Sequence, residues 1–117
     1  MARYHIRQIG IDGHDLDILI GFWSAALGYQ LHYREAGYAV LRDPEDAQPQ
    51  IFLQQVPEPK LGKNRVHLDV EVPDEAAAVQ HLTGLGARVL WREDFTTHHW
   101  TVLADPEGNE FCVGLFG

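Results

Sequence analysis

An internal repeat constrains this chain more than any other feature. Lys63 to Asp74 reads KNRVHLDVEVPD, in which Val66, Leu68, Val70 and Val72 alternate with His67, Asp69 and Glu71. A two-residue period of this kind is a strand with one apolar and one polar face. Pro73 ends the strand, and Asp74 is placed to cap the alanine-rich helix that follows. With Asp74 set over Asp15, HLDVEVPD falls over Gln8 to Asp15, QIGIDGHD, so His67 and Gln8 hold equivalent places. LG closes a helix in each half, at Leu27-Gly28 and Leu85-Gly86, and DPE follows each third strand, at Asp43 and Asp105. The chain reads as one unit written twice.

The periodicity predicts a strand over about Tyr4 to Asp12 and then a helix capped by Asp15 and ended at Gly28. In that helix Leu16, Leu19, Ile20, Trp23, Ala26 and Leu27 recur at helical spacing, so one face packs on a sheet. Strands over about Tyr29 to Arg34, Tyr38 to Arg42 and Ile51 to Val56 complete the first half, with DPEDAQPQ as a loop. The second half repeats this order. Its strand Val66 to Val72 leads to a helix from about Asp74 to Leu85, then to strands Ala87 to Glu93, His99 to Ala104 and Glu110 to Phe116. The expectation is an α+β fold, a single domain of two tandem βαβββ modules, about 1–57 and 65–117. The proline-containing PEPKLGKN joins them over about 57–64. The modules should form curved mixed sheets around a cup, with helices on the outer faces.

With 117 residues, 45% of them hydrophobic, the chain has room for one compact core. No apolar run approaches the roughly 20 residues needed to span a bilayer, and MARYHIRQIG lacks the apolar stretch of a signal peptide. The single cysteine, Cys112, cannot form an intrachain disulfide and suits a reducing compartment, so a cytoplasmic location is expected. Nine Lys plus Arg against 17 Asp plus Glu give a net charge of −8, which opposes nucleic-acid binding. No membrane partner is expected either.

A βαβββ unit used twice, with FWSAALGY at Phe22 to Tyr29, KNRVHLD at Lys63 to Asp69 and VLADPEGNEFCV at Val102 to Val113, resembles the vicinal oxygen chelate superfamily. That superfamily includes glyoxalase I, bleomycin resistance proteins and extradiol dioxygenases. The likeness is greatest to its small bacterial glyoxalase-like branch. It implies a homodimer, because relatives often close the cup by pairing two chains. In metal-dependent members each unit lends one ion a residue from its first strand and one from its last. Carried over, the first-strand places are Gln8 and His67. The last-strand place of the second unit is Cys112, four residues after Gly108. With a three-residue insertion allowed in the loop, its counterpart in the first unit is Leu53. Leucine has no donor atom, and the hard carboxylate oxygens that hold such an ion are missing, so no metal of the inherited geometry and no other cofactor is expected.

Strand alternation places the remaining candidates. Phe111, Val113 and Leu115 should pack against a helix, leaving Glu110 and Cys112 to point into the cup. His67, Asp69 and Glu71 should also point inward, with Gln8 and Asp12 across from them and Ile51, Leu53 and Gln55 lining a wall. A register error of one residue would invert such faces. Arg65 could anchor an anion, Trp91 or Trp100 could stack on a planar ligand, and Cys112 reads as a small buried hydrophobe rather than a nucleophile. Trp23 reads as core. His98 and His99 read as a solvent-facing strand start. The leading expectation is a glyoxalase-like protein that binds or transforms a small organic molecule through Gln8, His67, Asp69, Glu110 and Cys112. The alternatives are a metal-dependent lyase, isomerase or dioxygenase with a shifted site, and a drug-sequestering protein of the bleomycin-resistance type.

Overall fold

The structure is a computed structural model and describes residues 3–116. The chain divides into two units, the first ending at Pro59 and the second beginning at Lys60. The first holds β1 (Gln8–Gly13), α1 (Leu16–Leu27), β2 (Gln30–Glu35), β3 (Tyr38–Arg42) and β4 (Gln50–Gln55). The second holds β5 (Leu68–Glu71), α2 (Glu75–Gly84), β6 (Arg88–Asp94), β7 (His99–Ala104) and β8 (Glu110–Gly114). Each unit is therefore βαβββ. Their sheets have the same order, β1-β4-β3-β2 and β5-β8-β7-β6, with the first and last strands parallel and the other pairs antiparallel.

Local chemistry sets the helix limits. Asp15 accepts a hydrogen bond from the Ile18 N–H at 3.1 Å, and Asp74 accepts one from Ala77 at 3.1 Å. Gly28 closes α1 with φ 70°, a left-handed conformation that costs glycine nothing. From α1, Leu16, Leu19, Phe22 and Trp23 are buried, and Trp23 meets Phe22 edge-on at 5.1 Å. The helix α2 is alanine-rich and buries only Leu82 fully.

The two DPE turns do the same work. The Asp43 carboxylate accepts from the backbone N–H groups of Glu45, Ala47 and Gln48, and Asp105 accepts from those of Glu107 and Asn109. Both aspartates are buried, and those bonds offset the desolvation of their charge.

Several expected limits shift. The strand expected from Tyr4 starts at Gln8, and the one expected from Val66 starts at Leu68, since Val66 is 80% exposed and pairs with no neighbouring strand. The final strand stops at Gly114, short of the expected Phe116.

One face of the first sheet is misplaced by the sequence reading. In β4, Ile51 and Leu53 lie beside Ile9 and Ile11 of β1 and beside Leu41 and Ala39 of β3. This apolar set is the side covered by α1, and Leu53 is fully buried there. Leu53 and Ile51 therefore do not line the opposite, helix-free face, and Gln55 shares their side of the strand. The β4 residues that do lie on that face are Gln50, Phe52 and Gln54, beside Gln8, Gly10 and Asp12.

Candidate functional site

Register places the site residues. In the second sheet Asp69 pairs with Cys112, Val102 pairs with Cys112 from the other side, and Trp91 pairs with Val102. These side chains share the face away from α2, together with Glu110, Trp100 and Glu93. His67 stands one residue before β5, two before Asp69, and so on the same side. Gly114 occupies the position beside Trp100, where an added Cβ would come within 2.9 Å of the Trp100 Cβ. A side chain at 114 would therefore collide with Trp100.

Together these residues surround a cavity of about 150 Å³. Trp91 and Trp100 are its aromatic walls, Val102 and Cys112 its buried floor, and His67, Lys63, Glu93 and Glu110 its polar lining. The His67 Nδ1 lies 2.9 Å from the Asp69 Oδ1 and 3.8 Å from the Cys112 Sγ. The Glu110 side chain is only 10% exposed and faces Lys60 at 3.5 Å and Lys63 at 3.4 Å. The Lys63 ammonium lies 5.7 Å from the centre of the Trp91 ring, and Trp91 donates its indole N–H to Glu93 at 2.8 Å. Burial and the neighbouring Asp69 push the Cys112 thiol up to about 11, so at neutral pH it is protonated and no nucleophile.

The first unit carries the same plan with other residues. Tyr33 pairs with Val40 and Glu35 with Tyr38, as Trp91 pairs with Val102 and Glu93 with Trp100. A bulge interrupts β2 before Tyr33 and β6 before Trp91. Tyr33 donates to Glu35 as Trp91 donates to Glu93. By this register the counterpart of Cys112 is Phe52, not Leu53. The loop from Asp43 is two residues longer than the loop from Asp105, where the sequence comparison assumed three. Phe52 packs on Tyr38 at 5.4 Å, so an aromatic ladder stands where the second unit has its cavity.

Of the expected contacts, His67, Glu110, Cys112 and Trp100 line this cavity, and Asp69 joins them through His67. Arg65 is exposed and does not line it; the cation that lines it is Lys63, and Lys60 stands behind Glu110. Gln8 is exposed on the helix-free face of the first sheet beside Gln50. His99 lies outside the cavity and pairs with Glu75 of α2 at 2.8 Å. The sequence reading missed Lys63 and Glu93. The only sequence signal for them was the KNR run before His67 and the alternation that puts Glu93 on the side of Trp91.

Comparison with known proteins decides the family. The family model described as a glyoxalase-like domain matches residues 8–114. The chain belongs to the glyoxalase-like domain family. Solved structures agree on the fold. A glyoxalase/bleomycin resistance protein/dioxygenase family enzyme from Burkholderia phytofirmans PsJN superposes with TM-score 0.75 at 20% identity, over 93% of this chain and 96% of that one. TnmS3, an antibiotic binding protein from Streptomyces sp. CB03234, superposes with TM-score 0.72 at 19% identity, over 98% of both chains. A superfamily member from Sphaerobacter thermophilus DSM 20745 gives 0.73 at 18%, over 97% and 98%. No protein of curated function matches significantly. This glyoxalase-like chain is thus a vicinal oxygen chelate protein by fold.

The superfamily's four-ligand cation does not fit these residues. Its last-strand place in the first unit is Phe52 by register, and Leu53 beside it is sealed under α1; neither offers a donor. In the second unit a thiol stands where a hard carboxylate is required.

Proposed function

We propose that this glyoxalase-like protein binds a small planar organic molecule in the cavity of its second unit, without the superfamily's four-ligand cation. The observation that carries the reading is the pair Trp91 and Trp100 flanking an apolar floor of Val102 and Cys112. A cavity of about 150 Å³ suits a ring-sized ligand, and indole faces supply stacking of about 0.5–1.5 kcal/mol beyond burial. Glu93, Glu110, His67 and Lys63 give the wall a few oriented polar groups, as ligand sites require.

Binding without turnover is the favoured form of this reading. The acids and the thiol at the cavity have neighbours of their own: Asp69 faces His67, Glu110 faces two lysines, Glu93 accepts from the Trp91 indole, and Cys112 is a protonated thiol, which leaves His67 as the candidate base. The structural likeness to an antibiotic binding protein agrees with it. Pairing of two chains belongs to the same proposal and is supported by the exposure of Ile6, Leu61 and Val66 at 75–82%. Sedimentation at the mass of two chains tests that part. For the ligand, planar ring compounds are screened by thermal shift and by quenching of indole fluorescence. Hits should bind the native chain and lose at least about tenfold in affinity in Trp100→Ala. Hits unaffected by Trp100→Ala would refute the site, and steady consumption of a hit would refute binding without turnover.

A further inference from the structure

We propose that His67, Asp69 and Cys112 form a site for a zinc-class divalent ion within the second unit alone. The site shares His67 and Cys112 with the wall of the ligand cavity but does not depend on the organic-ligand reading. The three donors are an imidazole, a carboxylate and a sulfur, and their nearest atoms all lie within 4.8 Å of one another. The parallel pairing of β5 with β8 sets Asp69 beside Cys112, and the strand period brings His67 to the same side. In a tetrahedral zinc site with bonds near 2.0–2.1 Å to N and O and 2.3 Å to S, donors stand about 3.3 Å (N to O) and about 3.5 Å (N to S) apart. The corresponding separations are 2.9 and 3.8 Å. Both His67 separations are thus within about 0.4 Å of tetrahedral values, and the Asp69 and Cys112 donors, within 4.8 Å of each other, would close toward about 3.5 Å around an ion.

This is not the superfamily's set. His67 and Cys112 stand at two of the inherited places, but that set draws its donors from both units, whereas here one unit supplies all three, one of them is sulfur, and Asp69 belongs to none of the inherited places. Sulfur and imidazole select zinc-like ions over magnesium and calcium, which favour oxygen. Three protein donors leave a fourth position open to water or to a ligand heteroatom. Binding replaces the Cys112 S–H bond with a sulfur–metal bond and releases the proton to solvent. The dication is then balanced by the thiolate and the Asp69 carboxylate.

The test uses the full chain, purified without an affinity tag and dialysed against chelator. Cobalt(II) is titrated without air, and zinc is then added to displace it. The site predicts one equivalent of cobalt with a thiolate-to-metal charge-transfer band in the near ultraviolet, lost when zinc is added. The band should be absent in Cys112→Ser, and affinity should fall at least about tenfold in Asp69→Asn. His67 is exposed enough for His67→Ala to fold, so the loss of cobalt binding there keeps the test valid even if Cys112→Ser is unstable. No charge-transfer band in the native chain, a band that survives His67→Ala, or binding lost in Gln8→Ala would overturn the proposal. The first of these outcomes would leave His67 and Asp69 as an ordinary surface pair.

Discussion

Truncating neighbouring residues of β4 separates the two faces of the first sheet. Leu53 is fully buried between Ile11 and Ala39 on the side covered by α1. Leu53→Ala removes three carbons from a packed layer, so both the lost transfer energy and the cavity left behind count against the fold. The expected cost is about 2–5 kcal/mol. Phe52 is half-buried on the opposite face against Tyr38, so Phe52→Ala should cost less, and Gln54→Ala, fully on the exposed side, should stay within about 0.5 kcal/mol. Urea denaturation followed by circular dichroism gives all three values, with an unchanged m-value marking a stability effect. A cost below about 1 kcal/mol for Leu53→Ala, or a Gln54→Ala cost that exceeds it, would refute the face assignment. The identification of Phe52 as the counterpart of Cys112 would fall with it.

Three further outcomes follow from the second unit. Gly114→Ala puts a Cβ 2.9 Å from that of Trp100 and 3.1 Å from the His99 carbonyl oxygen. It should cost about 1–3 kcal/mol and change the indole fluorescence; a neutral result would contradict the β7–β8 register. Asp105→Ala strips acceptors from the Glu107 and Asn109 N–H groups and should cost about 1–3 kcal/mol by thermal or urea unfolding. Cys112 should react with a disulfide reagent at pH 7.5 at least about tenfold more slowly in the folded chain than in urea. Its pKa is raised from 9.0 to about 11, so the folded state holds this proton more tightly. That contribution is complete below pH 9.0 and is lost as the pH rises toward about 11, a decline that Cys112→Ala should lack.

The repeat, both helix caps and the order of elements were legible in the sequence because they rest on local chemistry: Asp15 and Asp74 as caps, Gly28 as a stop, and alternation in β5 and β8. The first sheet's site face was not legible. Its loop after Asp43 differs in length from the loop after Asp105, and strand faces invert with a single-residue shift, so counting placed Leu53 where Phe52 stands. The pairing of Glu110 with Lys60 and Lys63 was also hidden. Those lysines lie in a stretch that reads as linker by composition, and only the folded chain brings them to the start of β8. His67, Asp69 and Cys112 were each visible as polar positions, but their convergence depends on the parallel register of β5 with β8, which no local pattern encodes.

Ligand binding in the second unit's cavity, as proposed above, has a direct spectroscopic readout. Amide and indole N–H spectra of the isotopically labelled chain, recorded as ring-sized compounds are added, test it most directly. Binders should shift the indole signals of Trp91 and Trp100 and the amides of Glu110 and Cys112, leaving the buried Trp23 signal in place. Shifts confined to Tyr38, Phe52 and Gln8, or to the open groove beside His14, Arg34 and Gln55, would contradict it.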